Sequence, residues 1–279
     1  DDHDLELDPV LGEHAGERRL DVGLGVVGGN DHCHVDRHAS RVYRRRRSGP
    51  GAQIASPIVS AGTPAPLVSS VICTRGRGSR IVTTIDSILA SDHPSFELIV
   101  VDQSDDDTTQ QAVSSYLTDR RVRYVHRREA GLGRARNAGL AEARSDIVLF
   151  TDDDVTVPRH WLATMQRGIE QHPEVAVAFC NVDAAPHDRE AGFVPAYHRT
   201  GTIEISSTWQ KCRARGIGAG LGVRRTTVLA VGGFDPMLGA GAEFPSCEDG
   251  DIALRSLLAG HRVLETDAVA VMAAFSAAA

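Results

Sequence analysis

The feature that most constrains the fold is a short apolar strand tipped with acid. Within residues 146–158, Ile147 to Phe150 form an unbroken apolar run, and Asp152, Asp153 and Asp154 stand just beyond it. Such a run suits a strand covered on both faces of a parallel sheet. In open sheets of that kind, ligands bind outside the carboxyl ends of the strands, which is where these acids fall. Three adjacent carboxylates repel one another unless a hard cation or hydroxyl groups share them. Oxygen-only ligation suits Mg²⁺ or Mn²⁺, which bind through one or two carboxylates together with substrate phosphates. Taken alone, the triplet also reads as a solvated acidic turn before a helix that Pro158 allows to begin.

The surrounding pattern favours the sheet. Val68 to Cys73 read as a first strand, with Thr74-Arg75-Gly76-Arg77 as its turn. Ile81, Ile85, Ile88 and Leu89 then share one helical face. Phe96 to Val101 form a second strand ending at Asp102, and Gln110 to Leu117 a helix. Val122 to Val125 give a third strand, and a helix opens at Gly131 and runs to about Ala143. The acid-tipped strand is thus the fourth in a strand–helix alternation, which predicts a parallel sheet with right-handed crossovers. Farther on, the sequence predicts a helix over Trp161–Gln171, a strand over Val175–Cys180 and an irregular insertion over 183–207. A glycine-dense stretch at 216–222 needs close backbone approach. A helix then opens at Glu248, and a last strand covers Arg262–Glu265.

Residues 1–66 differ from all of this. They carry His32, Cys33 and His34, the run Arg44 to Arg47, and a Pro/Gly/Ser/Ala-rich stretch from Ser48 to Pro66. Without lasting periodicity they read as a disordered low-complexity leader, leaving 67–279 as the folded domain. The histidine–cysteine cluster lacks the second pair that zinc spacing requires. The net charge of −7, with Lys211 the only lysine, argues against a general nucleic-acid binder. Five scattered cysteines without a CxxC pair point to a reducing compartment. No apolar run is long enough for a membrane span, so the expected location is the cytoplasm, with contact at the inner face of the membrane.

Gly131, Gly133 and Gly139 fail the dinucleotide fingerprint, which needs its glycines directly after the first strand. A phosphate-binding loop with lysine is absent as well. A nucleotide here would be held more by side chains than by a glycine cradle.

Five segments in order resemble family 2 glycosyltransferases of the GT-A fold: Val-Ile-Cys-Thr-Arg-Gly-Arg (71–77), Val-Val-Asp-Gln-Ser-Asp-Asp-Asp-Thr (100–108), Gly-Arg-Ala-Arg-Asn-Ala-Gly (133–139), Phe-Thr-Asp-Asp-Asp (150–154) and Cys-Glu-Asp-Gly-Asp (247–251). The resemblance covers about 67–265. It implies an α/β, Rossmann-like, mostly parallel sheet flanked by helices, with a nucleotide-sugar half at 67–158 and an acceptor half at 159–279. It further implies that Asp102 accepts an N–H from the donor's base, that Thr74 and Arg75 line that pocket, and that Arg136 and Asn137 close over the nucleotide. Asp152 would hold ribose hydroxyls, Asp153 would be the flexible middle of a D-x-D pattern, and Asp154 would ligate Mg²⁺ or Mn²⁺. Asp249 would be the general base, with Glu248 orienting beside it. The implied reaction is inverting transfer from a UDP-, GDP- or dTDP-sugar to a glycan or lipid-linked acceptor, of the kind used in cell-envelope polysaccharide synthesis.

The Gln-x-x-Arg-Trp signature of processive relatives is missing, which argues for transfer of one or a few sugars. The short C-terminal region leaves open a degenerate domain that binds nucleotide without turnover. A sugar-phosphate nucleotidyltransferase is another reading of Arg75-Gly76-Arg77-Gly78, though it leaves Glu248-Asp249 unexplained.

Overall fold

The structure, a computed structural model, describes residues 65–274 except Arg189 and Ala191. Every described residue belongs to one compact unit. The expected leader, with its histidine–cysteine cluster and arginine run, lies outside the described residues but for 65 and 66.

Strands β1 (Val68–Thr74), β2 (Phe96–Asp102), β3 (Val122–His126) and β4 (Ile147–Asp152) alternate with helices α1 (Ile81–Leu89), α2 (Thr108–Ser114) and α3 (Leu132–Glu142). After β4 come β5 (Val155–Thr156), α4 (Trp161–Gln171), β6 (Val175–Ala184), β7 (Ile203–Ile205) and β8 (Leu221–Arg224). Helices α5 (Arg225–Ala230) and α6 (Glu248–Leu258) and strand β9 (Arg262–Ala273) complete the order. Among the described residues, all nine strands join one sheet in the order β3-β2-β1-β4-β8-β6-β9-β5, with β7 on β9.

The first four strands are parallel, as expected. Their side chains alternate between two cores. Val68, Ile72, Leu98, Val100 and Leu149 face α1 and α4, whereas Val71, Ile99, Val101, Val148 and Phe150 face α3 and α6. Both faces are therefore covered, which is why β2 is buried along its whole length. Ile81, Ile85 and Ile88 are fully buried, each contributing about 1.5–3 kcal/mol.

Beyond β4 the sheet is mixed. β8 runs antiparallel to both β4 and β6, and β9 lies parallel to β6. The glycine-dense stretch is where backbone closes on its neighbours: a Cβ at Gly222 would stand 2.8 Å from Leu149 Cδ2. Two strands outrun their expected ends. β6 continues to Ala184, and β9 continues past Glu265 to Ala273, across a register shift opposite Cys180/Asn181. The insertion at 183–207 includes β7 and a bridge from Val182 to Tyr197. No described helix is long and apolar enough to cross a membrane.

Candidate active site

Parallel register brings the ends of β1, β2 and β4 to one edge. Thr74 sits beside Asp102, and Cys73 beside Asp152. Two cavities of about 380 and 310 Å³ open there and share Leu132, Asp152, Asp154 and Ala240 as their common wall. The first is bounded by Thr74, Arg75, Arg77 and Gln103. The second is bounded by Arg136, the segment Ile217–Ala219, Glu248, Asp249, and Ala273 and Ala274.

Arg136 lines the second cavity. Its side chain is 2 % exposed, and Nη1 donates to Glu248 Oε1 at 2.8 Å while Nη2 lies 4.0 Å from Asp152 Oδ1. The guanidinium stands over the rings of Phe150 and Phe234, 5.8 and 5.4 Å from their centroids. Gly218 makes room for it, since a Cβ there would meet Nη2 at 2.2 Å. Cys247, the only non-glycine residue with positive φ (73°) among the described residues, opens α6 and turns Glu248 and Asp249 toward the cleft. A left-handed non-glycine residue costs roughly 1 kcal/mol or more, strain of the kind found at functional sites.

A second buried charge holds the other wall. Glu265 on β9 accepts hydrogen bonds from Tyr197 Oη, Arg199 Nε and Gly216 N, each at 2.8 Å, and from Arg215 N. It thereby ties the insertion to the sheet just before Ile217–Ala219. The far end of β9 returns to the acids. β5 pairs with the end of β9, and Ala274 N donates to Asp154 O at 2.8 Å.

The three acids are unequal. Asp153 is the buried member: Thr74 Oγ1 donates to it at 2.6 Å, Arg77 Nε lies 3.3 Å away, and Thr84 Oγ1 donates to its carbonyl. It is a fixed post, held by the hydroxyl of Thr74, which itself lines the first cavity. Burial pushes its carboxyl up to about 6, against the lowering effect of Thr74 and Arg77. Asp152 keeps 45 % of its side chain open but sits deep in the cleft. Desolvation raises it to about 6, Arg136 pulls it down, and Asp154, Asp153 and Glu248 push it up. Asp154 faces both cavities, with Arg77 Nη2 3.8 Å away.

Asp102 and Asn137 do not reach either cavity. Asp102 is fully buried, with Oδ1 accepting from Ser104 N at 2.8 Å and Oδ2 from Tyr124 Oη at 2.7 Å. Asn137 clamps the backbone of Phe234, donating to its carbonyl at 2.7 Å and accepting from its N–H at 2.8 Å. Two residues outside the expected set stand in the cleft instead. Gln103, directly after Asp102, donates through Nε2 to the carbonyls of Glu129 and Gly131, so its amide oxygen is what it has left to offer. Arg77 lies on the acids themselves. Adjacency to Asp102 and the Arg-Gly-Arg spacing were the available signals for the two.

Among the described residues, no group of three or more His, Cys, Asp or Glu side chains is arranged to hold a metal ion. The donors present nonetheless fit a hard divalent cation held jointly. Asp154, with Asp152 beside it, offers carboxylate oxygen to a cavity large enough for phosphates, the arrangement Mg²⁺ and Mn²⁺ favour over an all-protein cage.

The sequence model described as Glycosyl transferase family 2 matches residues 69–220, more than half of the chain. This chain belongs to that family. An uncharacterised protein of Mycobacterium tuberculosis is 30 % identical over 169 residues, covering 60 % of this chain and 50 % of that protein. Glycosyltransferase GlyG of Streptococcus pneumoniae is 24 % identical over 107 residues, covering 38 % of this chain and 36 % of GlyG. The chain thus spans half or less of these two relatives. Among solved structures, S. aureus TarS in complex with UDP-GlcNAc superposes with a TM-score of 0.63 at 20 % identity, over 76 % of this chain and 59 % of that one. The mannosyltransferase PcManGT of Pyrobaculum calidifontis, in complex with GDP-Man and Mn²⁺, gives 0.54 at 22 %, over 75 % and 57 %. These likenesses fix the fold as GT-A.

Proposed function

We propose that the protein is an inverting, metal-dependent, non-processive glycosyltransferase that moves a sugar from a nucleoside diphosphate to an acceptor hydroxyl. The observation that carries this is the shared wall: Asp152 and Asp154 border both a cavity with arginines and a cavity with Asp249. A donor laid across that wall has its diphosphate beside Arg75, Arg77 and Asp154 and its anomeric carbon facing the second cavity. Gln103 offers an amide oxygen to a base N–H, the part expected of Asp102, and Asp102 instead steadies the turn through Ser104 and Tyr124. Asp152 accepts from donor hydroxyls. The donors bound by TarS and PcManGT support a uridine or guanosine diphosphate sugar, and the Mn²⁺ of the latter supports a divalent cation.

Asp154, with Asp152, would hold the cation. When bound, it supplies Lewis-acid charge that stabilises the departing diphosphate. Asp249 accepts the proton of the acceptor hydroxyl, whose oxygen bonds to the anomeric carbon as the bond to the diphosphate breaks. The bonding pair leaves with the diphosphate, and a single displacement inverts the configuration. Glu248 holds the start of α6 through Arg136, so it positions Asp249 rather than touching substrate. Glycans or lipid-linked glycans of the cell envelope fit as acceptors, reached from the cytoplasmic side of the membrane.

The test is thermal shift with UDP, GDP, dTDP and NAD, each with and without Mn²⁺, since a ligand of the native state raises the melting temperature by mass action. Stabilisation by one diphosphate only with Mn²⁺, lost in Asp154→Ala, is the expected result. A shift with NAD alone, or with no diphosphate at all, overturns the reading.

A further inference from the structure

The acids at the end of β4 are accompanied by two guanidinium groups of opposite character. Arg136 is locked: it is buried, ring-flanked and hydrogen-bonded to Glu248. Arg77 is not. Its side chain is 30 % exposed, and its approach to Asp154 at 3.8 Å is a loose ion pair beside the closer one to Asp153 at 3.3 Å. The backbone under it is fixed, because Gly76 N donates to Ser104 Oγ and Gly78 N to Thr109 Oγ1. Both glycines lie in the left-handed region, at φ 65° and 51°. A long, charged side chain therefore stands on a pinned turn, bordering the cavity with Arg75 on one side and the acids on the other.

A divalent cation and a guanidinium repel each other strongly where they share one carboxylate oxygen. The position Arg77 takes on Asp154 is the position that the proposed cation needs. We propose that Arg77 is a resident counter-charge of this site. With no metal bound it neutralises Asp153 and Asp154, and when metal and nucleotide arrive it yields Asp154 and turns to the donor's diphosphate. This rests on the nucleotide-sugar reading above. Asp153 keeps its Thr74 hydrogen bond throughout, so the buried acid is never left without a partner. Planar guanidinium suits both duties, since carboxylate and phosphate oxygens present the same forked acceptor geometry. Arg75 is the poorer candidate for this exchange, because its partner is Asp105, on the exposed turn after β2.

The idea makes two demands of opposite sign on one substitution. In Arg77→Ala, Mn²⁺ alone binds more tightly than in the wild type, by about three- to fivefold, the scale of one partly exposed ion pair. In saturating Mn²⁺, UDP or GDP binds more weakly, by about tenfold, the scale of a charge-assisted hydrogen bond to phosphate. Arg77→Gln, which keeps length without charge, follows Arg77→Ala in both arms. Arg77→Lys lies between them and the wild type. Isothermal titration of the full chain with MnCl₂, and separately with each nucleotide in saturating Mn²⁺, reads both arms without turnover. Melting curves confirm that the variants are folded.

Mn²⁺ affinity unchanged or weakened in both neutral variants overturns the inference, because Arg77 would then shape the site and not compete for it. Nucleotide affinity unchanged in both variants likewise overturns the second half. A wild type that binds neither UDP nor GDP even with Mn²⁺ overturns the nucleotide-sugar reading and, with it, the second duty. The Mn²⁺ arm then still decides the first.

Discussion

On one bank of the cleft, Thr74, Gln103 and the acids of β4 stand at the ends of neighbouring parallel strands, placed by backbone register. On the other bank, Asp249, Ile217–Ala219 and Ala273–Ala274 come from a helix, a turn and a strand end. That second bank is drawn together by two buried charges. Arg136–Glu248 spans 112 residues of sequence, and Glu265 gathers Tyr197, Arg199 and Gly216. The difference is one of what fixes position. Strand ends tolerate loss of a side chain because the sheet still holds their neighbours, whereas a bank held by ion pairs moves when one partner goes. Binding of the donor and reaction with the acceptor should therefore be separable by mutation.

The largest effect sharpens that separation. Asp249→Asn lowers turnover by about 10²- to 10⁴-fold, the range of a lost general base, and leaves nucleotide affinity unchanged. Steady-state rates paired with titration check it, and retained turnover would place the base elsewhere. Next, Glu248→Ala leaves Arg136 buried without its counter-ion and destabilises the fold by about 3–5 kcal/mol. The double variant with Arg136→Met recovers most of that loss in urea unfolding. If it does not, the bank is held by something other than this pair. Gly218→Ala sets a Cβ against Arg136 Nη2 and costs about 1–3 kcal/mol. A drop in turnover larger than the drop in donor affinity is expected, because the displaced guanidinium carries α6 with it.

The smallest effect concerns the strand-end bank alone. Burial holds the Asp153 carboxyl up at about 6, against about 3.9 in an unfolded chain. The stabilisation from that difference is complete below about pH 4 and is lost as pH rises through about 6. Asp152 is raised in the same way. In Asp153→Asn the metal-free protein loses less stability between about pH 4 and 7, read as a flatter urea midpoint against pH. A slope identical to the wild type would assign the whole effect to Asp152.

What could be read in advance follows the same division. Strands β1 to β4 and helix α1 were legible because their apolar residues run or repeat locally. The acid-tipped strand end was legible for the same reason. Asp102 was placed at the right strand end but assigned to the ligand. Its burial depends on Tyr124, which reaches it from β3, and nothing nearby in sequence announces that contact. Asn137 was expected at the nucleotide, and its contact with Phe234, 97 residues away, is not announced locally either. β9 was cut short at Glu265 because its continuation is set by pairing with β6 and β5 and not by a local alternation. Contacts over such distances leave no periodicity to find.

The order β1-β4-β8 has a consequence for how the chain is made. During synthesis, which proceeds from the N-terminus, β1 can cover one edge of β4 as soon as β4 emerges. The other edge, carrying Ile147 to Phe150, has as its partner Leu221–Arg224, which follows only after β5, α4, β6 and β7. Throughout that interval an apolar strand with open hydrogen-bonding groups faces solvent, the arrangement most prone to pair with a second chain. Nascent chains stopped between β4 and β8 should therefore be the ones that chaperones hold and that aggregate when chaperones are scarce, and release of Leu221–Arg224 should end both.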